Sequence, residues 1–147
     1  MQRSGDLGQS MTELAIPTPG RSMLDVSREI QSWLADTGAG AGLLNIFIQH
    51  TSASLTIQEN ADPDVQADLL DSLDEFAPAS VQYRHNSEGP DDMPAHIKSM
   101  LTSTSLSIPV LGGRLGLGTW QGIYVVEHRT RPHTRNLVLH YSGTFRE

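Results

Sequence analysis

The chain has no cysteine. That absence excludes a disulfide framework, a thiolate zinc centre and a cysteine nucleophile, and it agrees with a reducing, cytoplasmic setting. Lysine is almost as scarce: nine of the ten basic residues are arginine, and Lys98 is the single lysine. There is no apolar run long enough for a signal peptide or a membrane-crossing helix, so no membrane partner is expected. Excess positive charge is also lacking. The formal net charge of −7 argues against a nucleic-acid partner on bulk electrostatics.

What is present fits one domain: 147 residues bury enough surface to fold without covalent staples. The polar stretch 1–10 reads as a flexible tail, and the domain as 11–147. Charge is unevenly spread. Met1–Leu111 carries 15 acids against 5 basic residues, whereas Gly112–Glu147 carries 2 acids against 5 arginines. The small basic cluster at Arg129, Arg131 and Arg135 suits forked recognition of phosphate or carboxylate, or else is ordinary solvated surface.

Apolar spacing predicts the elements. Glu13–Ile16 reads as a short strand closed by Pro17 and Pro19. Ser22 reads as the N-cap of an amphipathic helix carrying Val26, Ile30, Trp33 and Leu34, followed by a flexible loop through Gly42. Leu43–Gln49 and Ala53–Gln58 read as strands joined by His50-Thr51-Ser52. Asp62-Pro63 opens a helix whose buried face is predicted as Val65, Leu69, Leu70, Leu73 and Phe76. Pro78–Asp92 has no periodicity, and a connection of that length is often functional. A short helix from Pro94 follows, then a hairpin at Gly112-Gly113 and strands over 122–129 and 136–142. This order lacks regular βα alternation, so the fold class is α+β.

Six histidines are candidates for acid–base or metal work: His50, His85, His96, His128, His133 and His140. None forms a helical His-x-x-x-His pair, so any site must be assembled from distant segments. His50 ends a buried strand; His85 sits in the long loop; His96 sits early in a short helix. Glu127 interrupts the apolar strand Ile123–His128, where a carboxylate is costly unless paired or ligating. It either pairs with Arg129 or points into a cavity. Gly113–Thr119 is glycine-rich but matches neither a dinucleotide fingerprint nor a phosphate-binding loop.

Three stretches together resemble the YjbQ-like family: His50–Thr56 running to Glu59–Pro63, then Glu88–Lys98, then Leu117–Gly122 running to Glu127–Arg129. The resemblance covers about Met11 to Gly143. It implies an α+β domain, a β-sandwich of two mixed sheets with a few helices, assembled as a homotrimer with pockets near subunit boundaries. It also implies a secondary thiamine-phosphate synthase activity. That reaction joins hydroxymethylpyrimidine pyrophosphate to hydroxyethylthiazole phosphate and releases pyrophosphate.

Carried onto this chain, the resemblance implies His50, His85 and His96 as metal ligands. Glu127, His50 and Arg129 become catalytic candidates, and Thr119, Gln121, Arg129 and Arg135 substrate-binding candidates. The implied partner is a phosphorylated small molecule. The cofactor is a divalent metal, with zinc favoured by imidazole donors and magnesium by pyrophosphate chemistry. Two other readings use the same residues: a non-catalytic metal- or metabolite-binding protein, and a metal-dependent phosphoester hydrolase.

Overall fold

A computed structural model describes residues 6–147. The predicted tail therefore lies partly outside the described residues, and its end is not a tail. Gly8–Ser10 already pairs with the C-terminal strand. In chain order the elements are β1 (Gly8–Thr18), β2 (Ser22–Asp25), α1 (Ser27–Thr37), β3 (Ala39–Ile48), β4 (Ala53–Glu59) and α2 (Pro63–Phe76). These are followed by α3 (Asp92–Leu101), β5 (Ser105–Leu111), β6 (Arg114–Leu115), β7 (Gln121–Glu127) and β8 (His133–Phe145).

The strands form two sheets, ordered β1-β8-β3-β5-β6 and β2-β7-β4. Every pairing is antiparallel, which corrects the expectation of mixed sheets while keeping the α+β class. The two sheets and α1 share one core. Leu44, Ile46 and Ile48 from β3 and Leu137, Leu139 and Tyr141 from β8 meet Leu55 from β4, Ile123 and Val125 from β7, and Ile30 and Leu34 from α1. No helix among the described residues is long and apolar enough to cross a membrane.

Several expectations shift for identifiable reasons. β1 runs through Pro17 to Thr18 because it is an edge strand, where a missing N–H costs no ladder bond. Ser22 lies in β2 rather than capping a helix; Asp25 Oδ1 instead accepts from the Ser27 N–H at 2.9 Å, at the start of α1. The predicted loop through Gly42 is strand, because a register shift lets Gly42 lie directly against Gly143 of β8. A Cβ on either glycine would run into the facing backbone, so close approach explains the glycines there.

The Gly112-Gly113 hairpin is present, with φ of +57° and +75° as its two-residue turn requires. Asp62 caps α2 as predicted, accepting from the Asp64 N–H at 2.9 Å. The apolar face of α2 is not buried. It lies over the outer side of the smaller sheet, leaving Leu69 and Leu73 half-buried and Phe76 73% exposed. α3 begins at Asp92, two residues before the predicted Pro94.

Candidate metal centre

α3 and the long loop before it bring three side chains together. Asp92 and His96 are four residues apart on α3 and so share a face. His96 Nδ1 lies 2.9 Å from the Thr51 carbonyl, which can only accept, so Nδ1 carries the proton. In a neutral ring, Nε2 then presents its lone pair to Asp92 Oδ2, 3.2 Å away. Either a proton, which makes the two an ion pair, or a metal ion satisfies both atoms. His85 Nε2 reaches the same oxygen at 2.6 Å. One donor atom from each of His85, Asp92 and His96 lies within 4.8 Å of the others. Two imidazoles and one carboxylate form a donor set typical of transition-metal sites.

The carboxylate is oriented from behind. Arg129 NH1 donates to Asp92 Oδ1 at 2.8 Å, its Nε to Asp91 Oδ2 at 3.0 Å, and its NH2 to the Glu88 carbonyl at 2.9 Å. Burial pushes the Asp92 carboxyl up, but His85, Glu88, His96 and Arg129 outweigh it and hold it below its ordinary value. For Asp91, burial is likewise outweighed, chiefly by the Thr130 N–H and Arg129, and the carboxyl lies at about 2. The guanidinium of Arg129 is therefore spent on the loop that presents Asp92.

Glu127 and Arg135 occupy a different position, between the two sheets. Glu127 is fully buried, and Arg135 holds both its oxygens, from Nε at 2.7 Å and from NH2 at 2.5 Å. Thr18 and the Arg129 N–H donate to the same carboxylate, at 2.7 Å and 3.0 Å. Burial raises the Glu127 carboxyl, and these donors more than reverse it. Its partner is thus Arg135, eight residues on, and not the side chain of Arg129. His50 stands beside this pair. Its Nε2 accepts from the Asn136 N–H at 2.8 Å, and burial and Arg135 lower its pKa.

Of the expected ligands, the structure therefore brings His85 and His96 together, with Asp92 as the third donor, while His50 spends its Nε2 on Asn136. The sequence reading missed Asp92. Its signal was available as Asp-x-x-x-His, with both donors on one helical face. Thr119 is exposed on the loop before β7, and Gln121 folds back to accept from the Gly118 N–H at 2.8 Å. They lie at the opposite end of β7 from Glu127, roughly 20 Å away at the usual strand rise. Within one chain they do not meet the metal centre. His128 is buried against Ser54, His133 bonds the Arg131 carbonyl two residues away, and His140 reaches Gln9 across the β1–β8 pairing.

The family model described as UPF0047 protein YjbQ-like matches residues 12–144. UPF0047 protein sll1880 from Synechocystis is 52% identical over 131 residues, covering 88% of this chain and 89% of the relative. UPF0047 protein YjbQ from Escherichia coli O157:H7 is 43% identical, covering 88% and 95%. Among solved structures, hypothetical protein APE1520 from Aeropyrum pernix K1 superposes with a TM-score of 0.85 at 32% identity, covering 92% of this chain and 99% of that one. The chain belongs to the YjbQ-like UPF0047 family.

Proposed function

We propose that this chain is a metal-dependent enzyme whose divalent ion is held by His85, Asp92 and His96 and whose substrate is phosphorylated. The observation that carries the reading is the convergence of these three side chains, with one donor atom from each within 4.8 Å of the others. Imidazole donors favour zinc or a related ion over magnesium. A cavity of about 670 Å³ adjoins His85 and is lined by Tyr83, Arg84 and Asn86, which gives room for a substrate and one cation to meet it.

The reaction implied by the family resemblance is thiamine-phosphate synthesis as a secondary activity, with pyrophosphate leaving a methylene carbon. A bound cation would stabilise the charge on that leaving group. In the homotrimer implied by the resemblance, Thr119 and Gln121 of one subunit would complete the site of another, and the setting would be cytoplasmic. His50, Glu127, Arg129 and Arg135 would act by positioning the loops around it. A second reading, a non-catalytic metal or metabolite binder, is favoured by the internal engagement of Glu127 and Arg129.

The test is elemental analysis of wild type beside His96→Ala, followed by turnover of the two thiamine precursors with the retained ion. About one metal per chain, lost in the variant, together with metal-dependent turnover is the expected result. Metal without turnover selects the binding reading. No metal after supplementation sinks the metal centre.

A further inference from the structure

A second cavity, of about 450 Å³, lies on the opposite side of α3 from Asp92 and His96. Asp91, Pro94 and Lys98 face it from one stripe of the helix, and Arg21, Asp74 and His128 line it from elsewhere. Lys98, the only lysine, is 7% exposed and has one side-chain partner, Asp74 Oδ1 at 2.5 Å. An ammonium has three donors, so two remain. Arg21 spends one nitrogen, NH2, on Asp71 and Asp74, at 3.2 Å and 2.6 Å. Its other nitrogens have no partner among the described residues. Two cations thus converge on one half-buried carboxylate, in a chain whose charge is otherwise acidic.

The third group is the ring of His128. Thr102 Oγ1 faces both the Lys98 carbonyl, at 2.8 Å, and Ser54 Oγ, at 2.6 Å. His128 Nε2 lies 2.8 Å from Ser54 Oγ, at the end of this chain of hydroxyls. Nδ1 has no partner, yet no fully buried side-chain nitrogen or oxygen among the described residues is unpartnered, so Nδ1 opens toward the cavity. Burial and the nearby Lys98 keep this ring neutral at pH 7.

We propose that this cavity binds a small oxyanion that still carries a proton, of the hydrogen-phosphate class. Lys98 and Arg21 take its charge, and His128 Nδ1 accepts its hydroxyl. Asp74 is the resident competitor. It belongs to α2, a helix with no buried residue, and it yields when the anion arrives. This site is separate from the His85–Asp92–His96 group and does not depend on it.

Titration calorimetry on the chelator-treated full chain with inorganic phosphate at pH 7 tests the proposal. Asp74→Asn should bind phosphate about tenfold tighter than wild type, and Lys98→Met about tenfold weaker. His85→Ala should bind as wild type does, which separates this site from the metal centre. Sulfate has no proton to give, so it should bind more weakly than phosphate, and His128→Phe should erase that preference. Absence of phosphate binding to Asp74→Asn at millimolar concentration would overturn the proposal. So would equal affinity in Asp74→Asn and in Asp74→Asn/Lys98→Met, or a binding loss caused by His85→Ala.

Discussion

Arg129 NH1 holds Asp92 Oδ1 at 2.8 Å, which leaves Oδ2 as the oxygen that faces both His85 and His96. The arginine touches neither imidazole, yet it sets which lone pairs the carboxylate offers. Arg129→Met should therefore weaken metal affinity by about 10–100-fold, the usual effect of removing a group that orients a ligand. Competition with a chromophoric chelator measures this. Unchanged affinity would show that Asp92 is oriented without Arg129.

The Glu127–Arg135 pair should reveal itself as a structural element. Removing one partner leaves a buried charge, so Glu127→Gln should cost about 3–5 kcal/mol in urea unfolding. The double variant Glu127→Leu/Arg135→Met should recover part of that loss, since no charge is then stranded. A single-variant cost under about 1 kcal/mol would mean that water reaches the pair.

His128 gives stability a pH dependence. Burial, reinforced by Lys98, lowers its pKa from 6.5 to about 4. Between those values the unfolded chain binds the proton and the folded chain does not. Stability from this group is full above 6.5 and falls as pH drops toward about 4. The loss should be on the order of 3 kcal/mol across the window. Denaturant unfolding from pH 7.5 to 4.5, compared with His128→Phe, isolates it: the variant should show a shallower slope. Equal slopes would remove His128 as the cause.

Apolar residues should divide by where they pack, not by hydrophobicity. Ile123 is fully buried between the sheets, and Ile123→Ala should cost about 2–5 kcal/mol. Phe76 is 73% exposed at the end of α2, and Phe76→Ser should change stability by less than about 0.5 kcal/mol. Thermal or urea unfolding of the two variants side by side decides it. A large loss from Phe76→Ser would mean that α2 is covered in solution.

The amphipathic helix α1, the Asp62-Pro63 start of α2 and the Gly112-Gly113 hairpin were legible because each is decided within a few residues. The alternation along β7 was legible too. Ile123, Val125 and Glu127 share one face as predicted, and Tyr124, Val126 and His128 the other. Local spacing could not tell that both faces are covered, one by the larger sheet and the other by α2 and α3.

The site was legible in part for the same reason. His85 and His96 were singled out, together with His50, by the family resemblance, but which histidines meet is decided by contacts between segments far apart in the chain. The Thr51 carbonyl fixes the His96 tautomer from 45 residues away, and Asn136 takes His50 Nε2 from 86 residues away. The partner of Glu127 depended on β7 and β8 lying in different sheets, whose facing sides bring Arg135 onto the carboxylate. Periodicity and capping, set by short-range sterics and hydrogen bonds, thus determined most of the elements, though not their ends, from sequence alone. Packing of the two sheets decided which charges pair and which imidazoles converge, because a buried charge accepts whatever partner the fold brings within hydrogen-bond reach.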